Sequence, residues 1–158
     1  MKVGFLFCIL FCIQTGFIFA QQVLNGRVIK VIDGDTFDLL AKDNKKERIR
    51  MATIDAPEKR QDFGQASRQF LAHLIAGKYV QVHWEKRDRN GRILGTVFLD
   101  RQEINLQMIR SGMAWHFVRY SQATGYAKAQ QLAQAEQIGL WRSGQAVPPW
   151  EFRRLKRR

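Results

Sequence analysis

From Gln21 onward the chain runs first in short stretches of alternating apolar and polar residues and later in segments with a four-residue apolar repeat. Val23 to Ile32 is rich in Val and Ile and stops at the turn pair Asp33-Gly34; alternation resumes from Thr36 to Leu40, which predicts a hairpin. A polar turn over Lys42 to Glu47 leads to a third strand, Arg48 to Ile54. Tyr79 to Trp84 is a fourth, and Ile93 to Leu99 a fifth after the Asn90-Gly91 turn. Helical spacing pairs Phe70 with Leu74 and Leu71 with Ile75 inside Gln65 to Ala76, and Gly77 stands where a helix of that length ends. A second helix is expected to start with Asn105 as its N-cap and to end at Gly112. An Ala- and Gln-rich third runs from about Gly125 to Ile138, ahead of Gly139. Five short strands with about three helices are too few for a sandwich and predict an α+β fold, a five-stranded OB-fold β-barrel.

Ahead of this pattern lies a different one. Lys2 is followed by an apolar run from Val3 to Ala20, and polarity begins abruptly at Gln21-Gln22. That is the layout of a secretory signal peptide, with Ile18 rather than a small residue three positions before a cut after Ala20. The organisation expected is therefore a signal peptide at 1–20, one domain at 21–147 and a basic C-terminal tail at 148–158. The localisation expected is secreted or periplasmic, with membrane attachment only if the N-terminal segment stays uncleaved. Cys8 and Cys12 both lie in that segment, so a chain starting at Gln21 has neither disulfide nor thiol chemistry.

Charge narrows the partners. The 26 Lys and Arg against 14 Asp and Glu give a net charge of +12, a field that attracts nucleic acid, anionic membrane or acidic polymers. A hydrophobic content of 46% is enough for one core and excludes a disordered polyelectrolyte.

Against that basic background stand a few acidic residues in suggestive company: Asp33, Asp35, Asp55 and Glu58, with Arg50 and Arg92, in the segments VIDGDTF, RIRMATIDAPE and DRNGR. Carboxylates without nearby His or Cys suit a hard, oxygen-seeking cation, and fixed arginines suit phosphate. Each has a plainer reading too. Asp33 and Asp35 could serve only their turn, Asp55 only the end of a strand, and Glu58 a helix start or a pair with Lys59 or Arg60. The order D-G-D and the missing glutamate at position 12 do not match an EF-hand loop.

The segments VIDGDT at 31–36, R-x-x-x-x-D-A-P-E from Arg50 to Glu58, DRNGR at 88–92, N-x-x-M-I-R-S-G-M-A-W from Asn105 to Trp115 and GLW at 139–141 together resemble the thermonuclease (staphylococcal nuclease) family. The resemblance implies an exported, calcium-dependent nuclease that hydrolyses DNA and RNA with little sequence specificity, cutting the 5' P–O bond to leave 3'-phosphate ends. It further implies a monomer without an obligate protein partner. Within it, Asp35, Asp55 and the main-chain carbonyl of Ala56 match the calcium ligands, Asp33 orders a metal-bound water, Glu58 holds the place of the general base, and Arg50 and Arg92 that of the phosphate clamp. The other reading of the same barrel is a catalytically inactive OB-fold module that binds nucleic acid.

This chain departs from the family at several positions. Ala56 replaces a threonine, Val118 a tyrosine, and the short segment Lys59 to Gly64 a longer lysine-rich loop. Tyr120, near Trp115 and Phe117, falls where the family stacks a base or sugar. His73, His83 and His116 lack ligand spacing and read as structural. In the tail, Pro148-Pro149 is expected to stop regular structure, with Trp150 and Phe152 able to pack back on the barrel. The basic residues from Arg153 to Arg158 read as a solvated terminus or a loose phosphate-binding arm.

Overall fold

The computed structural model describes residues 22–156, so the expected signal peptide at 1–20 lies outside the described residues. Eight strands and four α-helices follow in the order β1 (Gln22–Val31), β2 (Thr36–Ala41), β3 (Lys46–Met51), β4 (Ile54–Asp55), α1 (Gly64–Ile75), β5 (Tyr79–Arg87), β6 (Ile93–Leu99), β7 (Gln102–Glu103), α2 (Ile104–Arg110), β8 (Trp115–His116), α3 (Thr124–Ala135) and α4 (Pro149–Leu155). A 3-10 helix, Gly139–Ser143, joins α3 to the last segment.

Strands β3, β2, β1, β5 and β6 are paired antiparallel in that order, and a parallel pairing of β3 with β6 closes them into a five-stranded barrel. The expected OB-type α+β architecture is therefore present. Two irregularities, between Val28 and Lys30 in β1 and between Trp84 and Lys86 in β5, bend the strands enough to close. Val28, Phe37, Leu39, Ile49, Met51, Val82, Ile93 and Val97 fill the interior, and α1 and α2 add Leu71, Ile75, Ile104, Met108 and Ile109. Burial of each such side chain contributes about 1.5–3 kcal/mol. A smaller apolar cluster of Ala133, Leu140 and Trp141 packs with Phe63 and Trp115 beyond it. Among the described residues no helix is long and apolar enough to cross a membrane.

Three expectations need correction. The third strand does not reach Ile54: Thr53 adopts a left-handed conformation (φ 65°), which breaks the run and turns Ile54–Asp55 away to pair with β8. Asn105 is not the N-cap of α2, whose first turn begins one residue earlier behind Glu103. Its amide is instead buried, accepting from Val97 N–H at 2.9 Å and donating to the carbonyls of Ala52 (2.8 Å) and Gly95 (3.3 Å), so it ties the β3–β4 turn to β6. The expected turn at Asp33-Gly34 is present, and Gly34 also provides space there, since a Cβ would lie 1.9 Å from Ser67 Oγ of α1. Lastly, the tail, as far as it is described, is not coil but a short helix that packs back on the domain, although Arg154, Leu155 and Lys156 remain exposed. Pro149 opens α4 at a position where its missing N–H costs nothing, Glu151 lies in the first turn and Arg153 and Arg154 in the last, as the helix dipole favours. Trp150 anchors it, stacked on Phe117 at 5.3 Å and edge-on to Trp115 at 5.7 Å.

Candidate active site

The site grows out of the β1–β2 and β3–β4 turns, which the barrel places side by side. Asp35 sits at the first, its N–H accepted by Asp33 Oδ1 (3.1 Å) and its carbonyl accepting from Met51 N–H (2.8 Å). Its carboxylate is buried, takes the Thr36 hydroxyl on Oδ1 (3.0 Å) and the Ala56 N–H on Oδ2 (2.7 Å). Residues 21 positions apart are thereby locked together.

Arg50, on the outer face of β3 opposite the buried Ile49 and Met51, braces the second turn. Its Nη1 donates to the carbonyls of Met51 (2.7 Å) and Ile54 (2.9 Å), while Nη2 lies between Asp55 Oδ1 (2.9 Å) and Asp35 Oδ2 (3.0 Å). One guanidinium thus shapes the turn that carries Asp55 and joins the two buried carboxylates. Asp55 is 1% exposed. Burial pushes its carboxyl up despite Arg153 and Arg50 beside it. Burial likewise raises Asp33 to about 7, helped by the negative charge of Asp35.

Glu58 follows on a loop held from three sides. Its N–H is accepted by the Gln61 side chain (3.1 Å), its carbonyl takes Gln61 N–H (2.8 Å), and Gly64 passes so close that a Cβ there would meet the Glu58 carbonyl oxygen at 2.0 Å. Gln61 Nε2 also donates to Val147 O (2.6 Å), linking this loop to the chain just before α4. From α4 the Arg153 guanidinium reaches into the site, giving Nη1 to Glu58 Oε1 (2.7 Å) and Nη2 to Asp55 Oδ2 (2.7 Å). Burial works against its charge, yet these bonds hold its pKa above the usual arginine range.

Asp33, Asp35, Arg50, Asp55, Ala56 and Glu58 are therefore brought together by the fold. Arg92 stands apart from them. It lies at the start of β6 on the same outer side as Arg48 and Arg50, with Ile93 beside Ile49 in the parallel ladder. Its Nε donates to Asp88 Oδ2 at 2.7 Å, and against the cost of burial these bonds hold the Asp88 carboxyl below its usual range. With Asp38, Lys46 and Arg48 it lines an open cleft of about 440 Å³. Tyr120 is exposed and meets Phe117 edge-on at 4.9 Å; Val118 is exposed too. Trp115 packs on Trp141 at 4.3 Å. His83 lies against Phe98, and His116 is buried against Tyr126, its pKa lowered by that burial.

Comparison with known proteins fits this arrangement. The family model described as staphylococcal nuclease homologue matches residues 48–143. The chain belongs to that family. Among its relatives, an "Uncharacterized endonuclease" of Haemophilus influenzae is 44% identical over 131 residues, 83% of this chain and 74% of that protein. One of the same description from Escherichia coli is 42% identical over 146 residues, covering 89% and 94%. A "Probable staphylococcal-like nuclease CAN3" of Oryza sativa subsp. japonica is 38% identical over 128 residues, 81% of this chain and 33% of the plant protein. The family match ends at residue 143, ahead of α4.

Arg153 is the functional candidate that sequence reasoning missed. Pro at the first helical position, an acid in the first turn and bases in the last were a legible helix signal over 149–155. Nothing in that signal tells which basic side chain points at a carboxylate 98 residues earlier.

Proposed function

We propose that this protein is an exported, calcium-dependent nuclease that hydrolyses phosphodiester bonds of DNA and RNA with little sequence specificity and leaves 3'-phosphate ends. The observation that carries the reading is the buried Asp35–Arg50–Asp55 bridge with Glu58 tethered beside it. Membership of a family whose relatives bear nuclease and endonuclease names supports the same class of chemistry. Export rests on the apolar run of residues 3–20.

The residues present suit calcium. Their donor set is oxygen only, and burial, the main cause of the raised pKa values of Asp33 and Asp55, disfavours carboxylate charge that a cation would stabilise. Among the described residues no three acidic, His or Cys side chains form a ready-made cage. Asp35, Asp55 and the Ala56 carbonyl would hold the ion and leave room in its six-to-eight-oxygen shell for water and a phosphate oxygen. When bound, calcium supplies charge neutralisation and polarisation of the phosphate.

The protein's own groups divide the remaining work. Glu58, bound by Arg153 through Oε1, offers its other oxygen to accept a proton from water, whose oxygen then bonds to phosphorus. The P–O5' bond breaks as that bond forms, and the departing O5' takes up a proton from solvent water. Arg50 keeps a fixed positive charge beside the reacting phosphate, and Arg92 adds a second from the neighbouring strand, where guanidinium geometry fits phosphate oxygens. The basic surface draws the polyanion in, and binding falls steeply as salt rises.

The deciding experiment incubates the purified protein with denatured DNA and with RNA in calcium, in magnesium and with a chelator, beside Glu58→Gln and Arg92→Ala. Calcium-dependent cleavage lost in both variants is expected. Tight, salt-sensitive binding without cleavage in any metal would establish the inactive binding module instead.

A further inference from the structure

Glu58 differs from the other acidic groups of the site in being poorly anchored by its own surroundings. Its side chain is 41% exposed, whereas those of Asp35 and Asp55 are 8% and 1%. The loop contacts described above fix its main chain. The carboxylate itself is met by Arg153, on Oε1 at 2.7 Å. A glutamate free to rotate loses much of its value as a proton acceptor, because the reacting water must be met at one place and a long side chain left unrestrained spreads over many rotamers.

Arg153 is built to supply that order. Its two Nη groups span Glu58 and Asp55, and Asp55 is also held by Arg50, so these four side chains form a continuous chain of bonds. The helix that carries Arg153 is itself pinned, by Trp150 on Phe117 and Trp115 and by the Gln61 bond to Val147. Because Gln61 also holds Glu58 through its main chain, one side chain ties the loop to the segment that enters α4. We propose that Arg153 is a positioning residue of the site, orienting the Glu58 carboxylate toward water and fixing Asp55 beside it, so that α4 is part of the catalytic unit. The inference rests on the nuclease reading, since it needs Glu58 to act on water.

The test is a double-mutant cycle in the full chain with calcium and denatured DNA. Arg153→Met should lower kcat about a hundredfold with KM within about threefold, the signature of lost orientation rather than lost substrate binding. Arg153→Lys should recover roughly tenfold of that, since a point charge restores one bond of the fork. In a Glu58→Gln background, Arg153→Met should cost less than about threefold more, because the two residues act as a unit. Independently of catalysis, the side-chain carboxyl 13C signal of Glu58 in the chelated protein should move toward that of a free glutamate in Arg153→Met. Full kcat in Arg153→Met, or losses that multiply with Glu58→Gln, would overturn the inference. If the Met variant shows no cooperative melting, the same cycle run with Arg153→Lys decides. A wild-type protein that does not cut removes the nuclease reading and this inference with it, whereas a Glu58→Gln variant that cuts normally removes the role of Glu58, and so this inference, while leaving the nuclease reading in place. Activity that survives only the Arg153 change removes this inference alone.

Discussion

Two networks of the same chemistry, a few residues apart on one barrel, are electrostatic opposites. On the outer face of β2 and β3, Asp38 and Glu47 are surrounded by Lys45, Lys46, Arg48 and Arg87, four cations to two carboxylates. The Arg87 hydrogen bonds hold Glu47 down to about 2, and those of Arg48 lower Asp38. At the site the ratio is reversed, with Asp33, Asp35, Asp55 and Glu58 sharing Arg50 and Arg153, and there burial raises Asp33 and Asp55. The outer network is complete as folded. The inner one holds more acids than cations, and burial there works against the charged form of Asp33 and Asp55.

The contrast breaks most visibly at Arg50. Arg50→Ala should lower the cleavage rate by about a hundredfold to a thousandfold, because a preorganised charge is lost and the turn carrying Asp55 loses its brace. Steady-state kinetics with denatured DNA measures it; an equally large loss in Arg48→Ala would erase the distinction between the networks. Next in size is the cation itself. Calcium at a hundred times its Kd should stabilise the wild type by about 2.7 kcal/mol, seen as a higher melting temperature, and Asp55→Asn should abolish the shift.

Smaller effects should carry opposite signs. Asp33, raised to about 7, favours the folded state when protonated, so its contribution is complete below its unfolded pKa near 3.8 and is lost as pH rises through 7. Asp33→Asn should therefore make the metal-free protein about 1 kcal/mol more stable at pH 8, with no gain at pH 3.5. Glu47, held at about 2 against an ordinary 4.5, contributes stability that is present above pH 4.5 and lost as pH falls toward 2. Glu47→Gln should cost about 1 kcal/mol at neutral pH, discounted because Arg87 is partly solvated, and nothing near pH 2. Thermal melting across that range settles both signs.

Much of the barrel was legible because one face of each strand is buried, so Phe37, Leu39, Ile49 and Met51 mark its interior by alternation. What alternation cannot carry is a single residue that leaves the ladder: Thr53 at φ 65° has no compositional signature, and the third strand was read through it. Asn105 shows a related limit. An asparagine at a helix start looks the same whether it caps the helix or, as here, cross-links two strands from a buried position. The carboxylates and Arg50 were recognisable through spacing within short segments. Arg153 was not, because its role exists only after tertiary closure and its neighbours in sequence are equally basic.

The long reach of that contact sets an order of events for the nascent chain. All five barrel strands lie between residues 22 and 99, whereas the partner of Glu58 is 95 positions downstream. Synthesis proceeds from the N-terminus, so the barrel strands can pair while α4 is still within the ribosome. A chain caught part-way is then a paired set of strands in which Glu58 still lacks its Arg153 contact.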